Sequence, residues 1–377
     1  MTEARKQTRI AEVAKLFFWL GFVGFGGPAV HIAMMEEEVV RKRKWLTEEH
    51  FLDLVGATNL IPGPNSTEMT MHIGHERAGW KGLIVAGACF IFPAVVITGV
   101  LAWLYQQYGQ LPQVQPFIYG IKPAIIAVIV SLMIGLGRKA LKSLELGVIG
   151  ILAAIAVLSG YNEIYVLFGG GILGVVVAQL KQPIRHTKAV LPLFLLQNNF
   201  YPDYSVFKLF AVFLKIGAIL YGSGYVLFAF LDAELVSKGW ITKQQLADAI
   251  AVGQFTPGPV FSSATFIGWQ IGGFSYAVAA TIGIFLPSFL FVALLNPLIP
   301  KLRKSKIFTS FLDAVNMVSI AIIIAVLAEI GKTTVWNWKT ILIAALSFLL
   351  TFFFKKINTA YIILGGIVFG YVLSLLN

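Results

Sequence analysis

Thr58-Asn59-Leu60-Ile61-Pro62-Gly63-Pro64-Asn65-Ser66-Thr67-Glu68 decides how this chain folds, because a counterpart returns as Gly253-Gln254-Phe255-Thr256-Pro257-Gly258-Pro259-Val260-Phe261-Ser262-Ser263. Each copy is a Pro-Gly-Pro knot inside an apolar segment, followed by small hydroxyl residues. Proline removes an N–H, clashes with the preceding turn and pushes its predecessor out of the α region. The expected shape is a broken or re-entrant helix, with a new half-helix starting at the second proline and its free N–H groups facing the gap. In hydrocarbon such backbone is tolerated only where it is buried in protein or lines a wet cavity. Half-helix N-termini carry partial positive charge and unpaired donors, which suits an anion. Two such breaks in matching positions mark a transporter binding site.

Composition agrees. The 377 residues are 58% hydrophobic and 12% charged, with a mean hydropathy of +0.81. That is an all-α polytopic integral membrane protein. The net charge of +11 is gathered in short loops, as positive-inside topology and anionic lipid demand; no basic domain exists to bind nucleic acid. The lone Cys89 excludes an internal disulfide. The first apolar stretch lacks a small-residue cleavage site, so no cleaved signal peptide is expected. The expected location is the plasma membrane, crossed many times.

In order, an amphipathic entry helix over residues 1–15 leads into a segment from Leu16 to Met35, broken at Gly24-Phe25-Gly26-Gly27-Pro28. The knotted segment follows, from Phe51 to Gly74. Four apolar runs come next, Gly82–Tyr105, Phe117–Leu136, Leu146–Leu158 and Ile164–Leu180. Then the pattern restarts, the signature of an internal repeat. Gly21 aligns with Gly217, Gly26 with Gly222, Glu38 with Glu234, Trp45 with Trp240, Asp53 with Asp248, and Pro93 with Pro287, at spacings of 194 to 196 residues. The expected organisation is a first repeat over 1–190, a linker over 191–206 and a second repeat over 207–377. Basic loops fall after the fourth run of one half and the third run of the other, giving opposite sidedness. Two inverted repeats with about ten crossings follow. A homodimer is one assembly open to such a chain.

Phe25-Gly26-Gly27-Pro28-Ala29-Val30-His31-Ile32-Ala33, the first knot, and the run from Phe255 to Gly268 together resemble the chromate ion transporter family over nearly the whole chain, in its two-domain form. The resemblance implies a secondary active exporter of chromate, an oxyanion shaped like sulfate, coupled to an ion gradient or a counter-anion. It implies no enzyme activity and no cofactor. Trp19 stands where the family often has a basic residue, while Lys215 keeps that charge in the second half. Glu68 and Asn65 stand where many family members carry glutamine and a small residue.

Lys122 and Lys215 lie deep in apolar runs, and an ionisable group there is a functional candidate by default. Both are read as oxyanion ligands, with snorkelling to the interface as the alternative. Asn59, Asn65 and Gln254 offer amides, and Ser66, Thr67, Thr256, Ser262, Ser263 and Thr265 offer hydroxyls, which would also serve as helix caps. Pro62, Gly63, Pro64, Pro257, Gly258 and Pro259 shape the knots. Gly26, Gly27, Gly222, Ser223 and Gly224 allow close backbone approach, for substrate or for packing. Glu68, His31 and His72 are the proton-coupling candidates. A passive anion channel would share the anion site, and a sulfate carrier the whole apparatus. His72, His75 and Glu76 could ligate zinc in an intramembrane hydrolase, but the order HExxH is missing and no metal is expected.

Overall fold

A computed structural model describes residues 3–109, 111, 115–181, 205–221, 224–295, 305–354 and 357–375. Its regular elements are helices. The first half holds α1 (Glu3–Val23), α2 (Pro28–Glu36), α3 (Glu48–Thr58), α4 (Asn65–Tyr108), α5 (Gln115–Ala140), α6 (Leu144–Leu158) and α7 (Glu163–Lys181). The second holds α8 (Val206–Ile219), α9 (Val226–Leu231), α10 (Lys243–Phe255), α11 (Ser263–Gly272), α12 (Phe274–Leu295), α13 (Lys306–Thr334), α14 (Trp338–Phe353) and α15 (Thr359–Ser374).

Five of these elements are long and apolar enough to cross a membrane, within Asn65–Tyr108, Tyr119–Ala140, Glu163–Lys181, Phe274–Leu294 and Lys306–Lys332. Three shorter apolar helices are α6, α14 and α15. Apolar side chains such as Trp80, Phe92, Ile151 and Leu349 stand exposed on the outer surface, as in a chain whose solvent is lipid. The molecule is a multi-pass helical membrane protein.

The 44-residue α4 is two helices in series. Ala78 and Gly79 leave helical geometry, Gly79 at φ 64° and ψ −153°. A Cβ added to Gly74 would lie 2.3 Å from the Gly82 carbonyl oxygen. Residues eight apart on a straight helix are about 12 Å apart, so the chain folds back and residues 65–77 return along the start of 80–108. The second half repeats this turn. Gly273, the C-cap of α11, has φ 76° and ψ −154°, and a Cβ on Gly268 would lie 2.5 Å from the Tyr276 carbonyl oxygen. Small residues make both seams possible, since only they let helix backbones approach this closely.

Two kinds of packing join the helices. Within each half the entry helix lies against the long arm after the knot, α1 on α4 and α8 on α12. A Cβ on Gly21 would lie 2.4 Å from the Phe90 carbonyl oxygen, and one on Gly217 the same 2.4 Å from that of Ile284. Across the halves the partners are exchanged: α5 packs on α14 and α15, while α13 packs on α6 and α7. Each half therefore completes the other's bundle. The expected linker at 191–206 lies almost wholly outside the described residues.

Candidate functional site

Each knot is clasped by the other half of the chain. The Gly63 N–H donates to the Leu220 carbonyl (2.8 Å), where α8 has just ended, and the Gly258 N–H donates to the Gly24 carbonyl (2.7 Å), where α1 has just ended. Gly24 and Leu220 are 196 residues apart, and Gly63 and Gly258 are 195 apart. The two bonds are one interaction made twice. Glycine is required at both apices. Gly63 has φ 138° and Gly258 φ 87°, a region that side-chain-bearing residues rarely enter.

The second expected break is present as well. Gly26 and Gly27 have positive φ, Pro28 opens α2, and Gly27 is its N-cap without a side-chain hydrogen bond. The Tyr225 hydroxyl, from the second half, lies 3.2 Å from where a Gly27 Cβ would stand. Gly224 faces Phe261; Gly222 and Ser223 lie outside the described residues. His31 is buried, stands edge-on to Phe90 and places Nε2 2.9 Å from the Gly24 carbonyl oxygen. A carbonyl only accepts, so Nε2 carries the proton and Nδ1, which has no partner among the described residues, presents its lone pair. Gly24 thus ties His31 to the second knot.

Beyond each apex the two halves diverge. Pro64 caps residues 65–77 and Pro259 begins a 3-10 turn, Val260–Ser262, ahead of α11; neither end has a side-chain cap. The expectation that Ser66, Thr67, Ser262, Ser263 and Thr265 cap these helices is corrected: Pro64 holds the N-cap of α4 and Pro259 that of the 3-10 turn, and Ser262, at the N-cap of α11, makes no side-chain capping bond. Nor does the second half-helix start directly at its proline. The Ser263 hydroxyl donates to the Val260 carbonyl (2.7 Å). Thr281 donates to the Ala277 carbonyl, so in its 2.7 Å bond with Thr265 the proton comes from Thr265. Asn65 donates to Asn59 (2.7 Å), stapling the first knot shut, whereas the Gln254 Nε2 at the matching place is buried without a partner among the described residues.

Thr67 Oγ1 and His72 Nε2 are in the same position, while the Glu68 carboxyl and Ser288 Oγ find only each other. Thr67, Glu68 and Ser288 have no exposed surface. Buried polar groups are hydrogen-bonded as a rule, so these are groups that water, an ion or a substrate would satisfy. Three further hydroxyls meet across the halves, Thr98 Oγ1 lying 3.4 Å from Thr256 Oγ1 and 3.2 Å from Ser262 Oγ.

Residues 11–175 and again 207–371 match the family model described as Chromate transporter. This chain belongs to the chromate transporter family. A probable chromate transport protein of Synechococcus elongatus is 27% identical over 358 residues, covering 90% of this chain and 88% of the relative. The chromate transport protein of Cupriavidus metallidurans is 27% identical over 374 residues, covering 96% and 93%. An uncharacterized transporter of Methanocaldococcus jannaschii is 25% identical over 389 residues, covering 98% and 96%. No solved structure matches the chain.

In this chromate transporter family member both lysines singled out from the apolar runs are already engaged. Lys122 Nζ lies 2.7 Å from Asp248 Oδ1, and the Tyr105 hydroxyl donates to Asp248 Oδ2 at 2.6 Å. Lys215 binds Glu234 at 2.7 Å, and Lys238 takes that carboxylate's other oxygen. Glu234 sits in a π-helical turn, Asp232–Val236, and its counterpart Glu38 sits in another, Glu37–Lys42. There Lys42 (2.8 Å) and Arg43 (3.2 Å) hold the carboxylate, the Lys42 bond chief among the causes that keep Glu38 below the usual carboxylate range. An oxyanion reaching Lys122 or Lys215 would have to share the ammonium with a carboxylate or displace it.

The zinc reading finds no support in the geometry. His75 stands against Trp80 and Glu76 faces His50, and among the described residues no three His, Cys, Asp or Glu side chains gather. Sequence reasoning missed Thr98, Tyr105, Asp248 and Ser288 as site residues. Only Asp248 carried a signal, its alignment with Asp53.

Alanine at the knot glycine Gly63, compared with alanine at the turn glycine Gly79, tests these constraints. Gly63→Ala would set its Cβ 2.2 Å from Glu68 Oε1, while Gly79→Ala meets nothing within 4 Å. The Gly79 variant should lose only the backbone penalty of about 1–3 kcal/mol. Gly63→Ala should lose more and fall out of the monodisperse fraction in a thermal-shift measurement by size exclusion.

Proposed function

We propose that this protein is a secondary active transporter that exports chromate, or a sulfate-like oxyanion, across the plasma membrane by alternating access. The observation that carries the reading is the pair of reciprocally clasped knots, with partnerless buried polar atoms gathered around them. Broken helices meeting at a repeat interface are where carriers hold substrate and coupling ion. The names of the curated relatives support chromate as the first anion to test.

The halves act as inverted repeats over 1–190 and 207–377, joined by a linker at 191–206, with about ten crossings in all. Exchange of α5 and α13 between the halves supports that reading, as do the matching glycine turns. The oxyanion would lie near the knots, with Asn59, Gln254, Thr256 and Ser262 among the nearby polar groups, and Glu68, His31 and His72 would supply proton coupling.

The test is uptake of labelled chromate and sulfate into proteoliposomes, with and without a proton gradient. Accumulation of chromate against its own gradient, suppressed by excess sulfate, is the expected outcome. Equilibration indifferent to the gradient would make the protein a channel, and no flux of either anion would overturn the substrate class.

A further inference from the structure

The two knots share a backbone and differ in chemistry. At the repeat spacing Glu68 falls on Ser263, and Ser288 falls on Ala94. A Cβ placed on Gly63 would lie 2.2 Å from Glu68 Oε1 and 2.5 Å from Ser288 Oγ. The equivalent point on Gly258 lies 2.9 Å from the Ala94 methyl group. So a carboxyl from α4 and a hydroxyl from α12 converge over the first apex, and a methyl group covers the second. Glu68, Ser288 and Thr67 are fully buried; Ser288 is a hydrogen-bond partner of the Glu68 carboxyl, and beyond that contact their side-chain oxygens have no partner among the described residues. The buried titratable groups on the elements packed around this knot are His72 on α4, His31 on α2, and Tyr221 and Tyr225 beyond α8. None of them is a fixed cation.

We propose that the first knot is the seat of a small monovalent cation, a proton or sodium, and that the oxyanion is taken by the second knot alone. This rests on the carrier reading above. Carboxyl and hydroxyl oxygens beside an unwound backbone are the ligand set for a hard cation. A carboxylate at that apex would repel an oxyanion in a medium where charges act strongly. The second knot presents the opposite chemistry. Thr98, Thr256 and Ser262 bring three hydroxyls together; Thr256 spends its proton on the Val252 carbonyl, which leaves Thr98 and Ser262 as donors, and Gln254 Nε2 is a buried donor without an acceptor among the described residues. Thr98 comes from the first half, so the anion seat, like the clasp, is built across the repeats. The clasps also couple the seats. Each apical N–H holds a carbonyl at the other half's break, so closing either knot on its occupant pulls on the segment that supports the other.

The experiment compares Ser288→Ala and Thr98→Val with wild type in proteoliposomes, measuring initial chromate flux against pH at fixed sodium and against sodium at fixed pH. Whichever cation drives the wild type identifies the occupant. Ser288→Ala should shift the half-maximal concentration of that cation about tenfold and leave the chromate KM at saturating cation unchanged. Thr98→Val should raise the chromate KM by a similar factor and leave the cation dependence alone. A chromate KM that moves in Ser288→Ala, or both variants moving both parameters together, would overturn the division. Thermal stability of the detergent-purified protein reads the cation seat without flux. Sodium, against choline, or acid should stabilise wild type and not Glu68→Gln. If no anion is carried yet this difference holds, the carrier reading fails and the cation seat stands; if the difference is absent, the seat fails.

Discussion

Asp248→Ala alone should destabilise the protein by roughly 3–5 kcal/mol, the cost of leaving a buried charge without its partner. Lys122 is 8% exposed and Asp248 3%, so neither charge has solvent to fall back on. Tyr105 would also lose the acceptor of its 2.6 Å bond. Lys122→Met should cost a similar amount, since Asp248 would keep only the tyrosine. The double variant Lys122→Met with Asp248→Leu should recover most of the loss, because an apolar pair of similar volume carries no desolvation penalty. Thermal unfolding in detergent measures all three. Additive losses in the double variant would mean that the two residues act separately, and the pair would then be a crossing of side chains without energetic coupling. The contrast with Lys215 sharpens the point. Glu234 would still hold Lys238 after Lys215→Ala, so that variant should be far milder.

Much of this architecture is legible in the sequence because proline and glycine leave few options. Pro62-Gly63-Pro64 and Pro257-Gly258-Pro259 break their helices where expected, and the Gly24–Pro28 stretch breaks α1 from α2. The apolar runs predict α5, α6 and α7 to within a few residues. Less visible is anything that depends on which helices meet. Lys122 reads as a free intramembrane cation until Asp248, 126 residues away, is brought beside it. Thr98 and Ser288 sit in unbroken apolar runs, where a single hydroxyl carries no local signal; only folding sets them against the opposite half's knot. The capping expectation fails for a different reason. Serine and threonine favour N-caps because their oxygens accept backbone N–H bonds, but Pro64 holds that position in α4, and Ser262 at the start of α11 is already in helical geometry.

Placing a positive charge at Asn316 should drive the molecule into its opposite state. The repeat mate of Asp248 is Asp53, and that of Lys122 is Asn316. Asp248, on α10, is buried against α5, yet Asp53 is exposed on α3, which packs against α2 and α4. The knot helix of the second half thus rests on α5 of the first half, whereas that of the first half rests on its own α2 and α4. If alternating access exchanges those roles, α3 must dock on α13 with Asp53 at Asn316, while α10 leaves α5. The opposite seat lacks a cation, which biases the molecule toward the state described here. Asn316→Lys supplies that cation, and a differential stabilisation of about 1.4 kcal/mol would change the ratio of states tenfold. A cysteine in place of Glu49, one turn from Asp53 on exposed α3, reports the change in a Cys89→Ala background. Its labelling by an impermeant maleimide should fall about tenfold with Asn316→Lys and return when Asp53→Asn is added. Labelling that ignores Asn316→Lys would mean that α3 never takes the place α10 occupies, and exchange between the repeats would not be how this transporter moves.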